Sequence, residues 1–119
     1  MRLFLFSILF ASTALAAEMP VHDYKFIPAS NNNTAIGGNL LAGDIFEQLI
    51  IIPETVGGGP VSIRDGLNGA AAYNTTMLVS GSLTDLHPIV IEMSAISQSG
   101  DWSVTTGVGV HVIAVGRFQ

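Results

Sequence analysis

The sequence of 119 residues contains no cysteine, so disulfide bonds and thiolate metal sites are excluded. Charge is also scarce. Lys and Arg number 4, Asp and Glu number 9, and together they make up 11% of the chain, whereas about 25% is typical of soluble domains. The basic residues form no cluster, which argues against nucleic-acid binding. Because so few charges are available to cover a surface, the composition predicts a homo-oligomer or assembly into a larger host particle.

Hydrophobic residues make up 49% of the sequence, and their arrangement predicts strands. After residue 20, no segment sustains the apolar spacing of three and four that an amphipathic helix requires. Short runs with alternating apolar residues recur instead, separated by Gly, Pro, Asn and Asp. They are HDYKFIP, IFEQLIII, VSIR, TTMLVS, HPIVIEM and VGVHVIAVGRF. We therefore expect an all-β fold: a small antiparallel β-sandwich, jelly-roll-like, with seven to eight strands.

The N-terminal segment has the three-part layout of a secretory signal peptide. Arg2 precedes an apolar run, and small residues follow, ending in Ala14-Leu15-Ala16. The run is shorter than the roughly 20 residues that a spanning helix needs, so no stable membrane span is expected in the mature chain. The predicted organisation is a signal peptide over residues 1–16 and a single β-sandwich domain over residues 17–119.

The last 21 residues, from 99 to 119, predict a tight hairpin turn at residues 99–101 and a terminal strand. Both faces of that strand are largely apolar: Val108, Val110, Val112 and Ala114 on one, and Gly109, His111, Ile113 and Val115 on the other. This pattern is typical of a strand inside a sheet with a cover on each side. The covers would be a second sheet and a neighbouring subunit. The candidate interface residues are Trp102, Tyr73, Val108, Val110 and His111. A core position is also open to Trp102, and stacking on a sugar ring is open to both Trp102 and Tyr73.

Residues that could carry catalysis are scattered. The three histidines, His22, His87 and His111, have no metal-ligand spacing. Asp65, Asp85 and Asp101 stand beside turn residues, where a short carboxylate serves the backbone. Ser80, Asp85 and His87 include the three residue types of a catalytic triad. Their presence in the sequence does not establish one, since triads are defined by geometry. Nucleophile-elbow, dinucleotide and phosphate-loop motifs are missing. We expect no catalytic, cofactor-binding or metal-binding residues, and therefore a protein that is not an enzyme.

Two segments together resemble a group of small β-rich proteins encoded by tailed bacteriophages and prophages. In residues 49–66, a strand ending in Pro leads through a Gly-rich loop to VSIRDG. In residues 85–118, the shared features are GDWSVTTG and a terminal strand with IAVGRF. The resemblance implies a non-enzymatic component of the virion surface, of the decoration or appendage type, with capsid proteins or its own copies as partners. The signal-like N-terminus favours an alternative: an exported, periplasmic or secreted, binding module of the adhesin or carbohydrate-binding type.

Overall fold

The computed structural model describes residues 22–66 and 73–119, which form eight β-strands. The strands are β1 (Asp23–Ile27), β2 (Thr34–Ala35), β3 (Ile45–Pro53), β4 (Gly59–Asp65), β5 (Tyr73–Leu78), β6 (Ile89–Ile96), β7 (Trp102–Val108) and β8 (Val110–Arg117). No helix occurs in this part of the chain. The predicted signal peptide over residues 1–16 lies outside the described residues.

The strands form two four-stranded antiparallel sheets in the order of a jelly roll. Sheet A has the order β1-β8-β3-β6, and sheet B has the order β2-β7-β4-β5. Consecutive strands lie in different sheets, apart from β4 and β5, which pair with each other. The chain therefore crosses between the sheets at nearly every connection. This arrangement confirms the predicted all-β, jelly-roll-like sandwich.

The core lies between the two sheets and is built from alternate residues of their strands. Inward side chains of β3, β4 and β8 are buried, whereas most outward ones are partly exposed, as the two-residue period of a strand requires. The larger fully buried apolar side chains are Phe46, Leu49, Ile51, Val61, Ile63, Val104, Val110 and Val112. Burial of each such side chain stabilises the fold by about 1.5–3 kcal/mol relative to leaving it in water.

An aromatic cluster closes one end of the core. Phe46 packs edge-on against both Trp102 and Phe118, with ring centroids 5.6 Å apart in each pair. Trp102 is 3% exposed, and its Nε1–H donates a hydrogen bond to the Asp44 carbonyl oxygen at 3.1 Å. The single tryptophan is therefore a core residue, held by both packing and a buried hydrogen bond.

The chain changes sheets at Gly109, which divides the segment expected to form one terminal strand. Gly109 has a φ of 75°, a left-handed conformation that favours glycine. It separates β7 in sheet B from β8 in sheet A. Val108 is therefore 74% exposed while Val110 is fully buried, and the prediction that these two valines share a face is wrong. The predicted internal strand is confirmed for β8, which lies between β1 and β3.

The turn at residues 99–101 is also not a hairpin, because it joins β6 in sheet A to β7 in sheet B. A buried carboxylate holds its backbone: Asp65 accepts hydrogen bonds from the main-chain N–H groups of Gln98 and Ser99 at 2.6 and 3.0 Å. Gly and Asp are common in turns of both kinds, those within a hairpin and those that cross between sheets. The pairing partners of the flanking strands decide whether such a turn is a hairpin or a crossing between sheets.

A bulge in sheet A turns two consecutive side chains of β3 outward. Phe46 and Leu49 are both fully buried although they are three residues apart, so Glu47 and Gln48 both face away from the core. The register of β3 shifts at this point relative to both β8 and β6. Bulges redirect side chains in this way. The outer side chain of Glu47 contacts His22, which precedes β1.

Candidate functional site

The outer face of sheet A, which points away from sheet B, carries an apolar row across all four strands. Ile113 on β8 lies opposite Phe26 on β1 and Ile50 on β3. Ile50 in turn lies opposite Val90 on β6. Phe26 and Val90 are 63% and 56% exposed, and the two isoleucines between them are half-buried. Directly opposed side chains pack against each other on a sheet surface. These four residues therefore form one apolar band, which we call the outer strip.

A second row beside the outer strip changes from apolar to polar along its length. Tyr24, which is 68% exposed, lies opposite Val115. Gln48 lies opposite both Val115 and Glu92, and its Nε2 donates to Glu92 Oε1 at 2.6 Å. This row borders a shallow cleft of about 350 Å³, completed by His22, Glu47 and Ser94. The cleft presents an aromatic ring, two carboxylates and an amide on one surface.

His111 extends the outer face of sheet A on the other side of the strip. It lies opposite Ile52, and its ring centroid is 5.1 Å from that of Phe26. Its Nδ1 lies 2.8 Å from Glu54 Oε1. About a fifth of the His111 side chain is exposed. The histidine thus adds a ring face to the apolar surface, and Glu54 occupies its polar edge.

The outer face of sheet B is polar. Ser62 lies opposite Thr105 and Thr76, and Arg64 lies opposite Ser103 and Asn74. A sheet face that meets water is normally polar, whereas a face covered by another layer is apolar. The contrast between the two outer faces therefore marks sheet A as the side suited to contact with another molecule.

The five residues predicted for an interface lie in different environments. Trp102 and Val110 are buried between the sheets, where they contribute to the core and not to an exposed interface. Val108 is exposed at the corner before Gly109. His111 faces outward beside Phe26. Tyr73 begins β5, and its side chain lies outside the described part of the structure.

Sequence reasoning did not single out the outer strip, although its members carry a signal. Tyr24 and Phe26 stand two residues apart in the run HDYKFIP, and both are exposed, as the two-residue period of a strand indicates. Residues 49–52 are an unbroken apolar run, which predicts burial on both faces of a strand. The order of the strands within sheet A is what brings these residues into one row.

A second, more apolar cleft of about 460 Å³ lies between the edge strands β5 and β6. Met77, Ile91 and Met93 line it and are only partly buried, although they pack against the core. The Asp65 carboxylate also borders this cleft, but both of its oxygens accept hydrogen bonds from the β6–β7 turn. Among the described residues, this cleft is therefore mainly a gap between the edge strands of the two sheets.

The titratable side chains form separate pairs. The three histidine contacts are His22 with Glu47, His87 with Asp85, and His111 with Glu54. Within residues 22–66 and 73–119, no three histidine or acidic side chains gather into a group that could hold a metal ion. Two members of the hypothetical triad are in contact: His87 Nδ1 lies 3.1 Å from Asp85 Oδ1. The side chains of Asp85 and His87 are 61% and 85% exposed. A pair this exposed is hydrated and lacks the shielded site in which a catalytic base operates.

The three aspartates predicted to serve the backbone all accept main-chain N–H groups, but only Asp85 does so within its own turn. Asp65 holds the β6–β7 turn, as described above, and Asp101 Oδ2 accepts the N–H of Leu40 at 3.3 Å. Asp85 Oδ1 accepts the N–H of His87 at 3.1 Å. That N–H and the His87 side chain lower the pKa of the Asp85 carboxyl.

None of the described segments is a helix long and apolar enough to cross a membrane. A scan of protein-family models, a search of curated proteins and a search of solved structures each found no match to this chain. The fold and its surface define the class: an eight-stranded jelly-roll sandwich with one polar and one apolar outer face.

Proposed function

We propose that this protein is a non-enzymatic structural component of a phage-like virion surface, of the decoration or appendage type. It assembles with its own copies or with capsid proteins through the outer face of sheet A. The observation that carries the proposal is the outer strip on a sheet whose counterpart is polar. The resemblance of residues 49–66 and 85–118 to phage structural proteins supports it. Jelly rolls occur in viral capsid proteins and in lectins, so the surface, and not the fold, has to carry the argument.

The size of the outer face fits the centre of an interface. Four strands about 4.8 Å apart, with three rows of outward residues about 7 Å apart, cover roughly 400 Å² when side-chain widths are included. Only part of this area is apolar, because the second row carries Gln48 and Glu92. A stable interface buries about 800 Å² on each partner. The strip would therefore be the dry centre, and polar residues such as Glu92 and Glu54 would lie at its rim.

Replacing the outer strip with threonine tests the proposal without removing strand propensity, since threonine is itself common in strands. The variant combines Phe26→Thr, Val90→Thr and Ile113→Thr. Sedimentation equilibrium over micromolar to millimolar concentrations should show association of the wild-type protein that is at least about tenfold weaker in this variant, because the strip supplies the apolar area that would be buried.

A control removes three exposed apolar side chains from other places: Leu41→Thr, Val56→Thr and Val79→Thr. These residues are 64%, 62% and 64% exposed. The control should associate like the wild type. A wild-type protein that stays monomeric over this range and never sediments with virus-like particles would contradict the proposed function. Equal association by both triple variants would exclude the outer strip as the interface.

One observation favours the alternative, an exported carbohydrate-binding or adhesin module. The cleft beside Tyr24 combines an exposed aromatic ring with the carboxylates of Glu47 and Glu92 and the amide of Gln48. Aromatic faces stack on sugar rings, and carboxylate and amide groups bond to hydroxyls.

The two functions are separated by Tyr24→Ala, with Phe26→Ala on the same strand as its control. Glycan binding measured by titration should be lost in Tyr24→Ala and kept in Phe26→Ala if the cleft is a sugar site. If the protein is a virion component, the wild type should bind no glycan. Self-association should then fall more in Phe26→Ala than in Tyr24→Ala.

A further inference from the structure

Three parts of the chain meet beside Gly37: the loop between β2 and β3, the turn between β6 and β7, and the residues after β8. Hydrogen bonds tie them together. The N–H of Gly38 donates to the Gln119 main-chain oxygen at 2.6 Å, and Asp44 Oδ1 accepts the Gln119 N–H at 3.2 Å. As noted above, Asp101 receives an N–H from the same loop. We call Gly37, Asp44, Asp101 and Gln119 the acidic junction.

Two carboxylate oxygens of the acidic junction are buried and unpartnered. Asp44 and Asp101 are 2% and 1% exposed. Among the residues that the structure describes, none donates a hydrogen bond to Asp44 Oδ2 or to Asp101 Oδ1. Buried polar atoms normally have partners, and an ionised one without a partner is especially unfavourable.

Both oxygens are directed at the same small space. Asp44 Oδ2 and Asp101 Oδ1 lie 2.6 and 3.0 Å from the point that a β-carbon on residue 37 would occupy, and the Gln119 main-chain oxygen lies 2.6 Å from it. Glycine fits at position 37 because the three oxygens converge on the side of its Cα from which a side chain would project. A side chain there would meet all three.

Among the described residues, no salt bridge joins Asp44 or Asp101 to a basic side chain. Burial raises the pKa of the Asp44 carboxyl, the Gln119 N–H opposes that rise, and the charges of Asp101 and Asp23 add to it. A proton would neutralise one carboxylate. A divalent cation would neutralise two and would contact all three oxygens at once. Carboxylate and main-chain oxygens are the hard oxygen donors that calcium takes in proteins.

We propose that the acidic junction binds a calcium ion through Asp44 Oδ2, Asp101 Oδ1 and the main-chain oxygen of Gln119. Calcium takes about 6–8 oxygen ligands, so further main-chain oxygens or water complete its shell. The ion links the β2–β3 loop, the β6–β7 turn and the chain after β8, next to the aromatic cluster at the end of the core. Its role is to stabilise this end of the sandwich, independently of assembly through the outer strip.

The single tryptophan provides a direct readout, because Trp102 donates to the main-chain oxygen of Asp44. Terbium(III) accepts the same oxygen ligands as calcium and luminesces when a neighbouring indole is excited. The wild-type protein should show tryptophan-sensitised terbium emission that calcium displaces. Asp44→Asn and Asp101→Asn should weaken the apparent affinity at least about tenfold. Calcium at about ten times its Kd should raise the wild-type midpoint of thermal unfolding by about 5–10 °C relative to chelator.

Asp85→Asn is the matched control, since it removes the same charge from an exposed turn and should bind terbium like the wild type. The comparison of wild-type protein in calcium and in chelator needs no variant, so a poorly folding variant does not obscure the result. The proposal is overturned if calcium leaves the wild-type midpoint unchanged. It is also overturned if terbium emission is equal in wild type and Asp44→Asn. Stabilisation by Asp44→Asn together with insensitivity to calcium would indicate a shared proton instead.

Discussion

Truncation of Trp102 to alanine is the most demanding test of the core. The ring is 3% exposed, so its removal combines the lost transfer free energy with the cost of the cavity left behind. Large-to-small changes of this kind cost about 3–5 kcal/mol. The edge-on contact with Phe46 is lost as well, which keeps Trp102→Ala away from the lower end of that range. We expect a loss of about 4 kcal/mol, a large part of the roughly 5–15 kcal/mol that stabilises an ordinary domain.

The hydrogen bond from the indole contributes separately and is isolated by Trp102→Phe. This change keeps a ring in the core but removes the N–H that bonds to the Asp44 carbonyl oxygen. That oxygen still accepts the N–H of Ser97 at 2.8 Å, so it is not left without a partner. A loss of about 1–2 kcal/mol is therefore expected, made up of one net hydrogen bond and a small change in volume.

Urea unfolding followed by far-ultraviolet circular dichroism measures both variants, since the signal does not depend on tryptophan fluorescence. The midpoint should fall while the m value stays constant. Val108→Ala, on the same strand but 74% exposed, should change stability by less than about 0.5 kcal/mol. If Trp102→Ala and Val108→Ala had equal midpoints, the indole would not be packed between the sheets and the assignment of the core would fail.

Three further predictions concern the backbone and the buried carboxylates. Gly107→Ala should lower the free energy of unfolding in urea by about 1–3 kcal/mol, because its β-carbon would overlap the main chain of Gly59. Gly38→Ala should leave that free energy nearly unchanged, since the space around Gly38 is open. Asp65→Ala should cost about 2–3 kcal/mol because two main-chain N–H groups of the β6–β7 turn lose a charged acceptor, and a smaller loss than in Gly38→Ala would contradict this role. In chelator, the folded protein holds the Asp44 proton more tightly than the unfolded chain does, because its pKa is raised above the ordinary 3.8. Thermal stability should therefore fall as pH rises from about that value through the raised pKa, and Asp44→Asn should remove this part of the profile.

Much of the strand content could be predicted because alternation is a local property. Val61 and Ile63 are buried while Ser62 and Arg64 between them face outward, as the sequence VSIR indicates. The two faces of β6 also follow the predicted alternation. The prediction failed at Gly109, because a strand that continues straight and a strand that turns into the other sheet have the same alternating pattern on each side of a glycine.

The candidate sites depended on longer-range structure. His111 was singled out from its own strand, but its neighbour Phe26 became visible only when β1 paired with β8. The Asp85 prediction was correct because its bond to the His87 N–H lies within one turn, whereas Asp65 and Asp101 bond to main-chain groups far away in the sequence. The unpartnered oxygens of Asp44 and Asp101 carried no sequence signal, because a buried and an exposed aspartate beside a glycine look the same in the sequence.

The sequence by itself determined an all-β sandwich, through the two-residue alternation of apolar side chains and the turn residues between the strands. Only the tertiary structure decided which strands became neighbours. That choice lined up Phe26, Ile113, Ile50 and Val90 on one surface, and it brought Asp44 to Gln119, 75 residues further along the chain. The physical reason is that alternation selects which side of a strand faces the core, whereas the strand order depends on how all eight strands bury their apolar sides together.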